Sequence, residues 1–233
     1  MNDAVEQIGG DGPILITCEH ASQRMPPGWS WPEEDRWLID THWAYDLGAR
    51  ELAVSLAGAL GAAAVLSRHS RLLIDPNRDE TSPTLFLTEA EGRPVHLNTT
   101  HLCDAERRRR IERLLRPYHA ELDACVRASA APTLVAMHSF TPIYQGQVRT
   151  IEVGVLFDRD EDLARRVASA LDARGLTVAL NEPYSGLAGL IYSIDRHARA
   201  HSRQAVELEV RQDLATDPSF RATFVSWLEE IFG

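Results

Sequence analysis

The order of apolar segments along this 233-residue chain predicts an α/β fold in which helices cover both faces of a mixed, mainly parallel sheet. Short apolar runs of the length of buried strands alternate with longer segments in which apolar residues recur at helical spacing. Strands that alternate with helices in this way form three layers, α/β/α. The chain length suits one such domain with a sizeable core, so we expect residues 1–233 to form a single domain.

The N-terminal part contains three predicted strands and one long helix. Residues 14–18 form a short, partly β-branched apolar run that is typical of a buried strand. Apolar residues then recur at helical spacing over residues 36–60, and Gly61 is a typical residue at the end of a helix. Two further apolar runs, at 63–66 and 72–74, predict the second and third strands.

The middle of the chain contains a long connection, a helix and a strand. Residues 79–100 have many turn residues and no regular period, which indicates a long loop or lid. Residues 104–129 have helical spacing, and the arginine run 107–110 within them is flanked by glutamates. Such a charge run usually forms a solvated helix face. The apolar run 134–137 predicts another buried strand.

The C-terminal part adds three strands and two helices. Residues 150–157 and 177–180 predict strands on either side of a helix at 162–174. Residues 206–210 predict the last strand, and residues 220–231 predict a closing helix. Ligands of such sheets bind at the carboxyl ends of the strands. Polar residues at the strand ends are therefore the first candidates for a functional site.

Composition restricts the class of protein. The formal net charge is −10, whereas a nucleic-acid partner needs a basic surface, so we expect none despite the basic stretch 107–116. No apolar run approaches the ~18 residues that a membrane span needs, and residues 1–11 lack the apolar core of a signal peptide. The three cysteines are widely spaced and form no disulfide framework, so we expect a cytoplasmic protein.

Two histidines and a glutamate occupy positions where this architecture would place a site. His20 comes directly after the first predicted strand, and His138 comes directly after the run 134–137. Glu209 lies in the last predicted strand. Any one histidine is more often a hydrogen-bonded loop or core residue, but two at strand ends favour a shared site.

His42 and Asp46 form a second candidate pair. They are four residues apart in a segment predicted to be helical, so they would project from the same face. Imidazole and carboxylate are both good zinc ligands, and a catalytic zinc takes three protein ligands plus an open position. A helix-surface pair without a metal is the alternative interpretation.

The segment 70–78 is the third candidate. An arginine at a strand exit can hold a carboxylate through two hydrogen bonds, which lysine cannot do, and Asn77 adds an amide donor. The same residues, Asp-Pro-Asn-Arg at 75–78, are also typical of a simple turn.

Six segments together resemble the N-formylglutamate amidohydrolase family, from residue 14 to about residue 214. Any one of them is weak, but six in the same order are specific. The segments are Cys-Glu-His-Ala-Ser at 18–22, His-Trp-Ala-Tyr-Asp-Leu-Gly-Ala at 42–49, Ser-Arg-Leu-Leu-Ile-Asp-Pro-Asn-Arg at 70–78, His-Ser-Phe-Thr-Pro at 138–142, Asn-Glu-Pro-Tyr-Ser at 181–185 and Glu-Leu-Glu-Val-Arg-Gln-Asp at 207–213. The family is similar in fold to zinc carboxypeptidases and aminoacylases, so the resemblance implies a zinc-carboxypeptidase-like fold.

The resemblance also implies roles for individual residues. His20 and His138 match the first and the later zinc histidine, and the segment that begins at Glu209 matches the one with the general-base glutamate. Asn77 and Arg78 match the residues that hold the substrate carboxylate.

One departure from the carboxypeptidase pattern leaves the third metal ligand open. Carboxypeptidases take two ligands from His-x-x-Glu, but no glutamate follows His20 at that spacing. We favour Asp46, with His42 as its neighbour or substitute. Arg71 is expected to add to the carboxylate clamp. Tyr184 is expected either to donate to the oxyanion of the reaction or to belong to a tight turn.

The implied activity is zinc-dependent hydrolysis of the amide bond in N-formyl-L-glutamate or a related N-acyl amino acid, which gives glutamate and formate. The implied partner is this small carboxylate-bearing substrate. Cobalt, manganese or iron would also suit imidazole and carboxylate ligands.

Two alternatives stay open. Cys18 could act as a nucleophile with His20 or His138 as base, although a cysteine in an apolar strand usually behaves as a small hydrophobic residue. A non-catalytic relative that binds zinc or a carboxylate ligand is the other. The sequence does not indicate the oligomeric state.

Overall fold

The computed structural model describes residues 4–233, so the first three residues of the segment in which no signal peptide is expected lie outside the described part. Eleven strands are present there. In chain order they are β1 (Val5–Ile8), β2 (Ile14–Cys18), β3 (Ala63–Ser67), β4 (Glu89–Ala90), β5 (Arg93–Pro94), β6 (Thr133–Phe140), β7 (Ile143–Tyr144), β8 (Gln147–Val148), β9 (Val153–Leu156), β10 (Val178–Leu180) and β11 (Gln204–Arg211). Seven form the main sheet in the order β1-β3-β2-β6-β11-β9-β10.

The helices of the described residues lie between these strands. They are α1 (Ala49–Leu60), α2 (His96–Thr99), α3 (Asp104–Arg110), α4 (Arg116–Ala128), α5 (Glu161–Asp172), α6 (Tyr192–Ala200), α7 (Gln212–Ala215) and α8 (Pro218–Phe232). A π-helical segment, Ile111–Leu115, joins α3 to α4, and short 3₁₀ helices occupy Glu33–Leu38 and Gly186–Ala188. None of the described helices is long and apolar enough to cross a membrane.

The predicted three-layer α/β/α fold with a mixed, mainly parallel sheet is confirmed. The pairs β2–β3, β2–β6, β6–β11 and β9–β10 are parallel, whereas β1–β3 and β9–β11 are antiparallel. One face of the sheet packs on α1, α5 and α8, and the other packs on α4 and α6. Both faces are thus covered, which is why the central strands are continuous apolar runs.

The predicted helix over residues 36–60 is wrong in its first half. Only Ala49–Leu60 is α-helical, after the 3₁₀ helix Glu33–Leu38 and a series of turns. Gly48 explains the break, because its φ of +83° is left-handed and a Cβ there would lie 2.3 Å from the Ala215 carbonyl oxygen. His42 and Asp46 therefore lie in a turn segment and do not share a helix face.

The predicted strand over residues 72–74 is also wrong, because these buried apolar residues form a turn. Their backbone groups are satisfied without a sheet partner. The Leu73 N–H donates to Ser70, and the Leu72 and Leu73 carbonyls accept from the side chains of Asn98 and Arg110. Residues 72–74 are apolar because they are buried. Their carbonyl groups accept hydrogen bonds from side chains and not from a neighbouring strand.

The other predicted strands and helices are present within residues 4–233, but the surroundings of the arginine run differ from the prediction. The arginine run 107–110 is not wholly solvated, because Arg110 is only 1% exposed and bonds to Glu106 and Asn98. Residues 79–100 form the expected long connection, which contains one small hairpin and the short helix α2. The edge strand β1 and helix α6 were not predicted.

Candidate metal and substrate site

The structure brings all nine predicted site residues to one cavity of about 220 Å³. They are His20, His42, Asp46, Arg71, Asn77, Arg78, His138, Tyr184 and Glu209. The cavity lies at the carboxyl ends of β2, β6 and β11, the edge at which parallel sheets bind their ligands.

His20, Asp46 and His138 form the centre of the cavity, where one ligand atom from each lies within 4.8 Å of the others. Asp46 Oδ2 is 2.8 Å from His138 Nδ1 and 3.4 Å from His20 Nδ1. His20 directly follows β2, whereas His138 lies inside β6, because this strand ends at Phe140, three residues beyond the predicted run. The Asp46 N–H donates to the His20 carbonyl, which fixes the turn before α1 against the end of β2.

Each histidine turns its other ring nitrogen to a buried carboxylate. His20 Nε2 is 2.7 Å from Asp75 Oδ1, and His138 Nε2 is 3.0 Å from Glu19 Oε2. Metal-binding histidines usually donate their second N–H to a carboxylate in this way, which orients the ring and leaves the first nitrogen for the metal. Two imidazole nitrogens and one carboxylate, so supported, fit a zinc ion or another divalent metal.

The charges around the centre favour a cation. Burial by itself would lower the pKa of His138, but the Glu207, Asp46 and Glu19 carboxylates outweigh burial and raise it well above its usual value. Burial opposes ionisation of Asp46, yet the two histidines hold the pKa of its carboxyl below the usual range. The pKa of Glu19 is lowered to about 2 by its contact with His138, again against the effect of burial.

Glu209 lies beside His138 because β6 and β11 are parallel and pair these two residues. Its Oε2 atom is buried and has no hydrogen-bond partner among the described residues. Burial raises the pKa of Glu209 well above the usual value. A buried carboxylate oxygen without a partner, directed into a cavity, is suited to accept a proton from a ligand or to face a cation.

Glu207 points to the same face, since alternate residues of a strand do so. Its Oε2 is 3.6 Å from His138 Nε2, and burial raises the pKa of its carboxyl to about 7. His138, Glu207 and Glu209 form a second group that could hold a metal ion. Only the first group contains two histidines, each supported by a buried carboxylate.

Arg71 and Asn77 line the cavity but are occupied by other residues. Arg71 Nη2 is 2.8 Å from Asp75 Oδ2, and its Nη1 is 3.6 Å from Asp46 Oδ1. Asn77 donates from Nδ2 to the Leu190 carbonyl, and its Oδ1 accepts from the Ser193 N–H at the start of α6. Arg71 thus balances the charge of the centre.

Arg78 is less occupied. Its Nη1 donates to the Asn77 carbonyl and its Nε to Thr84 Oγ1, and it forms no ion pair within the described part of the chain. The Arg78 guanidinium is therefore a candidate to bind a carboxylate ligand, although it also lowers the pKa of Asp75 from a distance.

His42 and Tyr184 lie on other parts of the lining. His42 belongs to neither metal-capable group of residues 4–233, and its buried Nε2 has no partner there. Burial lowers the pKa of His42, so the neutral ring is favoured. Tyr184 accepts a hydrogen bond from Arg149 over 3.3 Å, and burial raises the pKa of its hydroxyl.

Cys18, the alternative nucleophile, does not line this cavity. It is fully buried at the end of β2, and burial raises the pKa of its thiol well above the usual value. A buried, protonated thiol is a poor nucleophile.

Sequence reasoning missed three carboxylates of the site. Glu19 adjoins His20, Asp75 belongs to the turn 75–78, and Glu207 precedes Glu209 by two residues. Only Glu207 had an available signal, because residues two apart in a strand share a face. The supporting roles of Glu19 and Asp75 depend on contacts that the sequence does not reveal.

Together, the fold and the centre define a class: an α/β protein with a buried His–Asp–His group suited to a metal, beside a glutamate with one buried oxygen that no described residue contacts through a hydrogen bond. Comparison with known proteins gives the family. A model of the N-formylglutamate amidohydrolase family matches residues 12–216. The N-formylglutamate deformylase of Pseudomonas putida is 28% identical over 228 residues, covering 86% of this chain and 80% of the relative. The chain therefore belongs to the N-formylglutamate amidohydrolase family.

Two solved structures share the fold of this chain. The crystal structure of a gene product from Agrobacterium tumefaciens has a TM-score of 0.88 and 30% identity, covering 99% of this chain and 93% of that one. The N-formylglutamate amidohydrolase of Ralstonia eutropha has a TM-score of 0.70 and 24% identity, covering 99% and 96%. The second comparison shows the shared fold alone.

Proposed function

We propose that this protein is a zinc-dependent amidohydrolase that cleaves N-formyl-L-glutamate to glutamate and formate. The observation that carries the proposal is the buried Glu209 Oε2, which has no hydrogen-bond partner within residues 4–233, beside a His20–Asp46–His138 centre suited to a metal. The deformylase of Pseudomonas putida supports the choice of substrate, because it is named for this reaction and aligns with most of the chain. The three free cysteines are in keeping with a cytoplasmic location.

In this proposal His20, Asp46 and His138 hold the metal. A divalent ion supplies Lewis-acid polarisation of the scissile carbonyl and makes nearby water more acidic. Asp75 and Glu19 keep the two imidazoles oriented through their Nε2 atoms.

Glu209 is the proposed general base. It takes a proton from the attacking water as the water oxygen bonds to the formyl carbon. It then returns a proton to the nitrogen as the carbon–nitrogen bond breaks, so that glutamate leaves as the free amine and the formyl group as formate. Glu209 Oε2 has no hydrogen-bond partner in the described part of the chain, which leaves this oxygen available for the transfer.

The chain also supplies residues to position the substrate. Arg78, which forms no ion pair with the described residues, binds a carboxylate, and Asn77 holds that loop against α6. Tyr184 can donate its hydroxyl to the developing oxyanion from the cavity wall. Such positioning contributes to rate by holding the amide next to the reacting groups.

The test is formate release from N-formyl-L-glutamate by the purified protein, measured before chelation, after chelation and with zinc restored. Activity that is lost and regained with the metal is expected. Loss of activity on thiol alkylation together with indifference to chelators would instead favour Cys18. Metal binding without turnover across N-acyl amino acids would favour the non-catalytic alternative.

A further inference from the structure

The proposed substrate carries two carboxylates, and the cavity has to compensate both. Bringing an unpaired charge out of water is costly, and the carboxylates of the metal centre would repel an anion. Arg71 is not available to compensate a substrate carboxylate, because it already forms ion pairs with Asp75 and Asp46. Arg78 can form an ion pair with one carboxylate of the substrate, so a second cationic side chain is needed for the other carboxylate.

Arg149 is a second arginine beside the cavity, and it too forms no ion pair with a carboxylate of residues 4–233. It follows β8 directly, and its backbone N–H donates to the Pro142 carbonyl over 2.9 Å. Its Nη1 contacts the Tyr184 hydroxyl at 3.3 Å and the Thr141 carbonyl at 3.5 Å. Tyr184 and Thr141 both line the cavity.

Three aromatic rings of the cavity lining surround the Arg149 guanidinium. The Cζ atom lies 4.7 Å from the ring centroid of Tyr144, 5.3 Å from that of Tyr184 and 5.6 Å from that of Phe140. Aromatic faces attract a cation but take none of the in-plane N–H donors. The guanidinium is therefore held against residues of the cavity lining, although Arg149 itself is not part of that lining, and its Nε and Nη2 donors make no hydrogen bond within residues 4–233.

We propose that Arg149 binds the side-chain carboxylate of the substrate while Arg78 binds its α-carboxylate, which makes the site selective for N-acyl derivatives of dicarboxylic amino acids. The inference rests on the proposed function. A single free arginine would hold N-formyl-L-glutamate and N-formyl-L-glutamine alike. Two free arginines on separate segments, the turn 75–78 and the β7–β8 hairpin, distinguish them.

The test compares kcat/KM for three substrates: N-formyl-L-glutamate, N-formyl-L-glutamine, which lacks the side-chain charge, and N-formyl-L-isoglutamine, which lacks the α-charge. Arg149→Met should reduce the preference for N-formyl-L-glutamate over N-formyl-L-glutamine by about 10- to 100-fold. This factor corresponds to the usual free energy of a hydrogen bond to a charged group. Arg149→Lys should reduce it less, because it keeps the charge but loses the planar donors. Arg78→Met should reduce the preference for glutamate over isoglutamine.

Arg108→Met is the matched control, since Arg108 is exposed on α3 and does not line the cavity; it should alter neither ratio. Thermal unfolding checks that each variant is folded, and a ratio between two substrates is insensitive to the fraction of active protein. If the wild type cleaves the formyl substrates and Arg149→Met changes glutamate and glutamine equally, this inference is wrong and the proposed function stands. If the zinc-loaded wild type cleaves none of the three, the proposed function fails as well.

Discussion

Replacement of Glu209 by glutamine is the most direct test of the proposed chemistry. Glutamine has nearly the same shape, so the packing of β11 between β6 and β9 is kept. The substitution removes the ability to accept and return a proton. Because Glu209 is outside the His20–Asp46–His138 group, zinc should still bind.

The expected loss follows from the surroundings of Glu209. General acid–base catalysis contributes about 10²- to 10⁴-fold. No other carboxylate oxygen of residues 4–233 is both buried and without a partner, and Glu19 and Asp75 already accept hydrogen bonds from the histidines. With no substitute base in place, we expect kcat to fall by about 10³-fold, or about 4 kcal/mol in activation free energy.

The assay is formate release at saturating N-formyl-L-glutamate, with the zinc content of each preparation measured in parallel. Glu207→Gln makes the same change two residues earlier on the same strand face, so it tests whether the loss of any carboxylate from the site is enough; its effect on kcat should be smaller than that of Glu209→Gln. Wild-type kcat should also decline as the pH falls, since a general base acts only when deprotonated. A Glu209→Gln enzyme with full zinc and more than a tenth of wild-type kcat would refute the assignment.

Three further predictions concern the supporting residues. Asp75→Asn should weaken zinc binding by about 10- to 100-fold, because Asp75 orients His20; competition with a chromophoric chelator measures this, and unchanged affinity would contradict it. Glu19→Gln should make the metal-free protein less sensitive to acid. The pKa of the Glu19 carboxyl is lowered from 4.5 to about 2, so its stabilisation of about 3 kcal/mol is present above pH ~4.5 and is lost as the pH falls towards 2. Urea unfolding across this pH range should show the free energies of unfolding of the wild type and Glu19→Gln converging as the pH falls. A constant difference between the two would contradict the stabilising role of Glu19. Gly48→Ala should destabilise the fold by more than about 1 kcal/mol at every pH, owing to the left-handed φ and the nearby Ala215 carbonyl; equal urea midpoints would exclude this.

The fold was predictable from sequence wherever burial and hydrogen bonding agree. The strand Ile14–Cys18 is apolar because it is covered on both faces, and its bounds were predicted correctly. Residues 72–74 are equally buried, but donors from Asn98 and Arg110 replace the sheet ladder. An apolar pattern reports burial alone, so the sequence could not separate these two cases.

The site was predictable at the level of residue types and strand ends. His20 and Glu209 were placed by the rule that ligands bind at the carboxyl ends of parallel strands. Asp46 was also brought to the centre, but for a different reason from the predicted one. It is held by a turn before α1, which depends on Gly48 and on the hydrogen bond to the His20 carbonyl.

The balance of buried charge connects the metal centre to the choice of substrate. Five carboxylates surround the two histidines: Glu19, Asp46, Asp75, Glu207 and Glu209. Among residues 4–233, Arg71 is the one arginine in an ion pair with any of them. The raised pKa values of Glu207 and Glu209 mean that protons partly offset this excess of negative charge, and a divalent cation would offset it more fully. A centre so rich in carboxylates repels an anionic substrate, which therefore depends on cations outside the centre. Arg78 and Arg149 lie outside it, and neither forms an ion pair with a carboxylate within residues 4–233.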